Sequence, residues 1–157
     1  MKKKLLIFIV AYNAEKTIKS VVSRIPKKLS SQYNLEILII DDSSQDKTFE
    51  LSKKIKKYYS NSSFKINVFY NPVNQGYGGN QKIGYHYSIK NNFDYVVLLH
   101  GDGQYAPEIL PKLLKSFSDN SNSDVVIGSR MIEKKRALKG GMPFYKFIGN
   151  IILTKSQ

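Results

Sequence analysis

Leu5-Leu6-Ile7-Phe8-Ile9-Val10, running directly into Ala11-Tyr12-Asn13-Ala14-Glu15, is the stretch on which the fold turns. Its six consecutive apolar residues, rich in β-branched types, read as a strand buried on both faces. A polar loop follows at once, and then Ile18, Val21, Val22 and Ile25 recur at helical spacing in a helix over 15–24. The same order repeats downstream. Strands are expected at 35–40, 66–70, 95–99 and 125–127, and helices at 46–58, 78–90 and 107–117. Nearly unbroken apolar strands alternating with helices predict an α/β fold: an open, mostly parallel, Rossmann-like sheet with helices on its faces.

The 157 residues suit a single domain. A composition of 41% hydrophobic and 24% charged residues is globular. Cysteine is absent, which excludes disulfide scaffolds, zinc ribbons and thiol nucleophiles. The basic start and short apolar run at the N-terminus lack the length and cleavage site of a signal peptide. The apolar stretch 147–153 is broken by Gly149 and Asn150 and falls far short of a membrane span. Net charge is +13, but 22 of the 25 basic residues are lysine. Most of them read as a solvated surface, and an RNA-binding domain is disfavoured because no aromatic or arginine motif of recognised spacing occurs.

In an open α/β sheet the ligand crevice lies beyond the carboxyl ends of the strands. Four strand ends are unusually polar here: Ala11 to Glu15, Asp41-Asp42-Ser43-Ser44-Gln45-Asp46, Asn71 to Gly79, and His100-Gly101-Asp102-Gly103-Gln104. No glycine precedes Gly76, so the dinucleotide fingerprint after the first strand is missing, as is a P-loop. Gly76-Tyr77-Gly78-Gly79 sets flexible backbone before a helix whose N–H groups can face an anion. Of the adjacent Asp41 and Asp42, one is free to accept hydrogen bonds from a ligand while the other holds the loop. Asp41, nearer the strand end, is assigned to ligand, and Asp46 to capping the following helix. Asp102 and Gln104, flanked by Gly101 and Gly103, form a weak site for Mg²⁺ or Mn²⁺ that becomes adequate when a diphosphate supplies further oxygens. His100 is as readily packed as metal-bound, and His86 is structural.

Together with Gly128-Ser129-Arg130, these segments resemble the inverting family 2 glycosyltransferases of GT-A fold, most closely their dolichol- and polyprenyl-phosphate mannose synthase-like branch. The similarity spans about residues 4 to 153, nearly the whole chain, and rests on five short motifs in the right order. It implies that Ala11, Tyr12, Glu15 and Asp41 hold the base and ribose of a nucleotide-sugar. Gly76, Gly79, Lys82 and Asp102 complete the donor side. Asp102 and Gln104 bind the divalent cation with the diphosphate, and Arg130 meets the acceptor phosphate, so Asp102 and Arg130 carry the catalytic roles.

The departures are Val10 where the family has Pro, Asn80 and Gln81 where Ala and Arg are usual, and His100 in place of the first Asp of the Asp-x-Asp-x-Gln motif. Family catalytic regions also continue beyond this point, so the chain reads as one catalytic domain lacking its C-terminal part.

The expected function is metal-assisted transfer, with inversion, of a sugar from GDP-mannose or a UDP-hexose to a polyprenyl-phosphate lipid. A lipid phosphate is already anionic and needs no general base, and no isolated carboxylate in the C-terminal segment offers one. Residues 130–157 carry seven basic side chains against Glu133, interleaved with apolar ones. They are expected to form an acceptor-side segment able to meet an anionic membrane surface, in a cytoplasmic protein peripheral to the inner face of the membrane. The alternatives are transfer to a sugar acceptor in cell-surface polysaccharide synthesis, and a truncated, non-catalytic nucleotide-binding module.

Overall fold

The protein is described by a computed structural model, which covers residues 1–119, 123–128, 144–145 and 148–150. It comprises two compact units, Met1–Pro111 and Lys112–Gln157. In chain order the elements are β1 (Lys4–Ala11), α1 (Ile18–Ser23), α2 (Leu29–Gln32), β2 (Asn34–Asp41), α3 (Thr48–Tyr58), β3 (Lys65–Tyr70), α4 (Gly76–Lys90) and β4 (Tyr95–His100). A 3₁₀ turn, Pro107–Ile109, leads into α5 (Leu110–Asp119). The four strands are all parallel in the order β3-β2-β1-β4, with Val10 in register with Ile40 on one side and His100 on the other.

That order places the functional edge. The chain steps outward from β1 to β2 to β3, then crosses back to β4 on the far side of β1, so the direction of winding reverses between β1 and β4. Right-handed crossovers then put α1 and α3 on one face of the sheet and α4 on the other. Reversal of this kind opens a crevice at the carboxyl ends of the two central strands.

The core explains why β1 is so apolar. Leu5 through Ala11 are all buried, sealed by neighbouring strands on both sides and helices on both faces. Leu6, Phe8 and Val10 join Leu38 and Ile40 in a cluster covered by Tyr87, Phe93 and Leu98. Each fully buried large side chain of this kind contributes about 1.5–3 kcal/mol. On the other face α1 buries Ile18, Val21 and Val22, and α3 buries Thr48, Ser52 and Ile55. The α3 lysines are thereby turned to solvent. Glu50 in its first turn and Lys56 and Lys57 in its last complement the helix dipole.

α4 meets the sheet through small and polar residues, Asn80, Gly84 and Ser88, spaced one turn apart. Asn80 Nδ2 donates to the Ile40 carbonyl at 3.1 Å, and the absence of a side chain at Gly84 lets the helix settle onto Phe8.

Three sequence expectations are corrected. Residues 125–127 form no strand: Val125 and Ile127 are exposed, with no ladder partner among the described residues. α2 is an additional short helix whose Ser30 and Ser31 hydroxyls donate to the carbonyls of Lys27 and Lys28. α4 begins at Gly76, two residues earlier than expected, so the glycine cluster forms its first turn instead of preceding it. Asn74 Oδ1 accepts the Gly76 N–H at 2.8 Å and anchors that start.

A Cβ at Gly84 would lie 2.2 Å from Phe8 Cε1, and the fully buried ring has no room to retreat. Gly84→Ala is therefore expected to lower unfolding free energy by about 1–3 kcal/mol in urea titrations. Gly78→Ala, with open space around it, should be neutral or stabilising by up to about 1 kcal/mol. Equal stability of Gly84→Ala and the wild type would contradict this packing.

Candidate functional site

The polar loops at the carboxyl edge are tied into a ring of hydrogen bonds. The loop after β1 meets the loop after β2, with Asn13 N donating to Ser44 Oγ at 2.9 Å and Gln45 N to Asn13 Oδ1 at 3.0 Å. The loop after β2 meets the loop after β3 through Asp42, whose Oδ1 accepts Asn71 Nδ2 at 2.8 Å and Gln75 N at 2.9 Å. The start of α4 meets the end of β4 where the Tyr77 hydroxyl lies 3.0 Å from His100 Nε2. The ring closes where Thr17 Oγ1 donates to the Gly101 carbonyl at 2.7 Å. Asn13 and Ser43 adopt left-handed backbone, with φ of 48° and 65°, to make these turns.

The two aspartates at the end of β2 have different surroundings. Asp42 is satisfied by side-chain and backbone donors and holds the loop. Asp41 is fully buried; its Oδ1 accepts Ser44 N at 2.8 Å, while its Oδ2 has no hydrogen-bond partner among the described residues. Burial pushes the Asp41 carboxyl above the ordinary aspartate range, against the opposing hydrogen bonds from Ser44. Asp46 behaves oppositely. Its burial is outweighed by hydrogen bonds from Thr48 and the Glu15 N–H, and its carboxyl is held below the usual range.

Asp46 does bind the first residue of α3, as capping requires, although it stands one position before the N-cap Lys47. Glu15 lies in the same knot, its Oε2 accepting Lys47 N at 3.1 Å. Tyr12 is about half exposed and Ala11 is buried at the strand end.

At the end of β4, Gly101 is favoured by close approach: a Cβ there would sit 3.2 Å from both Ala11 Cβ and the Val10 carbonyl. Asp102 and Gln104 are exposed, and Asp102 Oδ1 accepts Gln104 N at 2.9 Å, which folds the loop on itself around Gly103 at φ 77°. Among the described residues no three His, Cys, Asp or Glu side chains gather to hold a metal ion. The pair offers oxygen donors only, a set that fits a hard divalent cation when ligand oxygens complete the shell.

His100 is packed, with Tyr77 and Tyr105 rings 5.0 and 4.8 Å from its own. Gly76, at φ 68°, and Gly79 lie in the first turn of α4. Lys82 is exposed in the second turn of α4, about 200° around the helix from the sheet-facing Asn80. Arg130 lies outside the described residues, as does most of 130–157.

The chain matches the protein family described as glycosyl transferase family 2 over residues 6–154. It belongs to that family. Among curated relatives, it is 30% identical to the UDP-N-acetylglucosamine–dolichyl-phosphate N-acetylglucosaminyltransferase of Methanococcus voltae, over 98% of this chain and 62% of the relative. It is 28% identical to the dolichol-phosphate mannosyltransferase of Pyrococcus furiosus, over 97% of this chain and 42% of the relative. The chain thus spans roughly half the length of such relatives. Among solved structures it superposes on the mannosyltransferase PcManGT from Pyrobaculum calidifontis, solved with GDP-Man and Mn²⁺, with a TM-score of 0.63 at 15% identity over 76% of this chain and 34% of that one. The sheet and its helices are those of the GT-A fold.

Within this family 2 fold, residues missed by reading the sequence do much of the positioning. Asn71, Asn74 and Gln75 fasten the third loop to Asp42, and Thr17 and Thr48 fasten α1 and α3 to the strand ends. The available signal was their place immediately after a strand or at a helix start. A groove of about 560 Å³ opens at the opposite, amino-terminal edge, beside Lys4, Glu36, Phe64 and Phe93, away from Asp41.

The raised Asp41 carboxyl yields a signed prediction. A buried acid with an elevated folded-state pKa costs stability once pH rises above its unfolded value of about 3.9. Asp41→Asn should therefore be more stable than wild type near neutral pH, with the gain shrinking as pH falls towards that value. Chemical denaturation at several pH values checks this, and a variant less stable than wild type at pH 7 would contradict it.

Proposed function

We propose that this chain is the donor-binding part of a glycosyltransferase that moves a sugar, with inversion, from a nucleoside-diphosphate sugar to a polyprenyl-phosphate lipid. The observation that carries this reading is the hydrogen-bonded ring bringing all four strand-end loops to one edge, in a family 2 chain whose curated relatives act on dolichyl and polyprenyl phosphates.

The exposed Tyr12 ring offers a stacking surface for the base. Asp41, whose Oδ2 has no hydrogen-bond partner among the described residues, accepts from the nucleoside. Ala11 and Gly101 keep side-chain bulk away from the mouth of the crevice, and Glu15 holds the second loop by its backbone. Gly76 and Gly79 bring the first turn of α4 close to the same edge. Asp102 and Gln104 would hold Mg²⁺ or Mn²⁺ with the diphosphate, and such an ion offsets the charge that grows on a departing nucleoside diphosphate.

A phosphate acceptor brings its own anionic nucleophile, so the site needs cationic positioning in place of a general base, and Arg130 supplies it. No helix among the described residues is long and apolar enough to cross a membrane. The basic 130–157 segment would meet a lipid acceptor at the inner face of the membrane.

Thermal shift with UDP and GDP, each with and without Mn²⁺ or Mg²⁺, tests the reading. One of the two nucleotides at about 100 times its dissociation constant should add about 2.7 kcal/mol of stability, dependent on metal. Asp102→Ala should abolish the metal dependence. No metal-dependent shift with either nucleotide, or an Asp102→Ala variant that shifts as wild type does, would sink the assignment.

A further inference from the structure

The loop that carries Asp102 and Gln104 is laid along one side of α1. Thr17, Val21 and Arg24, four and three residues apart across α1 and its two caps, fall on a single stripe. Each meets the loop at a successive point. Thr17 Oγ1 donates to the Gly101 carbonyl at 2.7 Å. A Cβ on Gly103 would stand 3.7 Å from Val21 Cγ2 and 4.0 Å from Thr17 Cβ, so the middle of the loop rests on the same stripe. Arg24 then grips Glu108 through a paired contact, Nε donating to Oε1 at 2.5 Å and Nη2 to Oε2 at 2.9 Å.

This succession matters because the loop's internal bonding does not place it against the sheet. Asp102 Oδ1 accepts Gln104 N at 2.9 Å, which sets the two oxygen-bearing residues relative to each other only. Residues Gln104 to Ala106 are exposed, as is Asp102, whereas Gly101 at one end and Pro107 at the other are buried. Placement therefore falls to the two ends. The first is held by Thr17 and by Gly101 N, which donates to the Val10 carbonyl at 2.8 Å. At the second, the bidentate Arg24–Glu108 pair fixes orientation as well as separation. The helix beneath is itself anchored, with Ile18, Val21 and Val22 buried.

We propose that α1 is the template of the metal-and-diphosphate site, Thr17 and Arg24 holding the Asp102–Gln104 loop in the shape that receives the cation. The inference rests on the donor-binding reading above and adds two positioning residues to it, both acting through the loop. Ordering a loose loop at the moment of binding costs affinity, and a loop fastened at both ends avoids most of that cost. The template thus acts on the metal-dependent share of donor affinity. The loops after β2 and β3 are tied to Asp42 and do not depend on it.

Two measurements on the full chain test it. Calorimetric titration with UDP and GDP, each with and without Mn²⁺, gives the factor by which the cation strengthens binding. Arg24→Ala and Glu108→Gln should each reduce that factor about three- to fivefold and leave metal-free affinity unchanged. The exchanged pair, Arg24→Glu with Glu108→Arg, should restore it to within about 1.5-fold. Thr17→Val should reduce it about three- to tenfold, while Thr17→Ser, which keeps the hydroxyl, should match the wild type. In the absence of ligand, hydrogen–deuterium exchange should be faster at 102–106 in Arg24→Ala and unaltered at 41–48 and 71–79.

A factor unchanged in Arg24→Ala and Thr17→Val, or affinities that fall equally with and without Mn²⁺, overturns the template and leaves the donor site intact. A wild-type chain that binds neither nucleotide, or binds without regard to Mn²⁺, overturns the metal-assisted donor reading and with it the role given to α1. Exchange at 102–106 that Arg24→Ala leaves unaltered overturns the fastening itself, whichever way the titrations fall.

Discussion

The carboxylate of Asp42 is the fastening on which the functional edge depends. It is nearly sealed from solvent, and its backbone N–H donates to the Ala11 carbonyl at 2.9 Å. Its Oδ1 receives Asn71 and Gln75, and its carbonyl receives Asn74 Nδ2 at 3.0 Å. One residue thereby joins the end of β1, the end of β2, the loop after β3 and the approach to α4. Parallel strands buried on both faces must finish somewhere, and their last polar groups must be satisfied where the ladder stops. Asp42 meets that need for three strands at once, and the loops inherit a fixed geometry from it.

With Asp42 committed to structure, its neighbour carries the strain. Asp41 is as deeply buried but retains an oxygen with no partner among the described residues, a cost that a stability-only design would remove. Around the two, Asp46, Glu15 and Thr48 lock the first two loops together, and the Arg24–Glu108 bidentate pair pins the turn that follows the Asp102 loop against the end of α1. Lysine is scarce in this arrangement. The lysines of α3 are exposed, and Lys82 faces away from the sheet, which agrees with most of the +13 charge being a solvated surface.

The fold was legible because its strongest signal, the unbroken run 5–10, is also its physical centre, and the helices on either side follow an apolar period. Places where the reading failed lack such a signal. α2 is only four residues long and is stabilised by serine hydroxyls folding back on lysine carbonyls. Val125 and Ile127 have the composition of a strand but no ladder neighbour among the described residues. The site was legible as a set of polar strand ends, since polarity after a buried strand needs a reason. Which aspartate would be satisfied and which left with an orphan oxygen was not, because that depends on Asn71 and Gln75 arriving from 29 and 33 residues away.

The central claim is that the four loops at the carboxyl edge together form the nucleotide-binding surface. Hydrogen–deuterium exchange of the full chain, with and without saturating UDP or GDP and Mn²⁺, addresses it most directly. The account predicts slowed exchange at 11–15, 41–48, 71–79 and 100–104, with 34–36 and 60–65 at the opposite edge unchanged. Protection confined to that opposite edge, or exchange at the four loops that a saturating nucleotide leaves untouched, would contradict it.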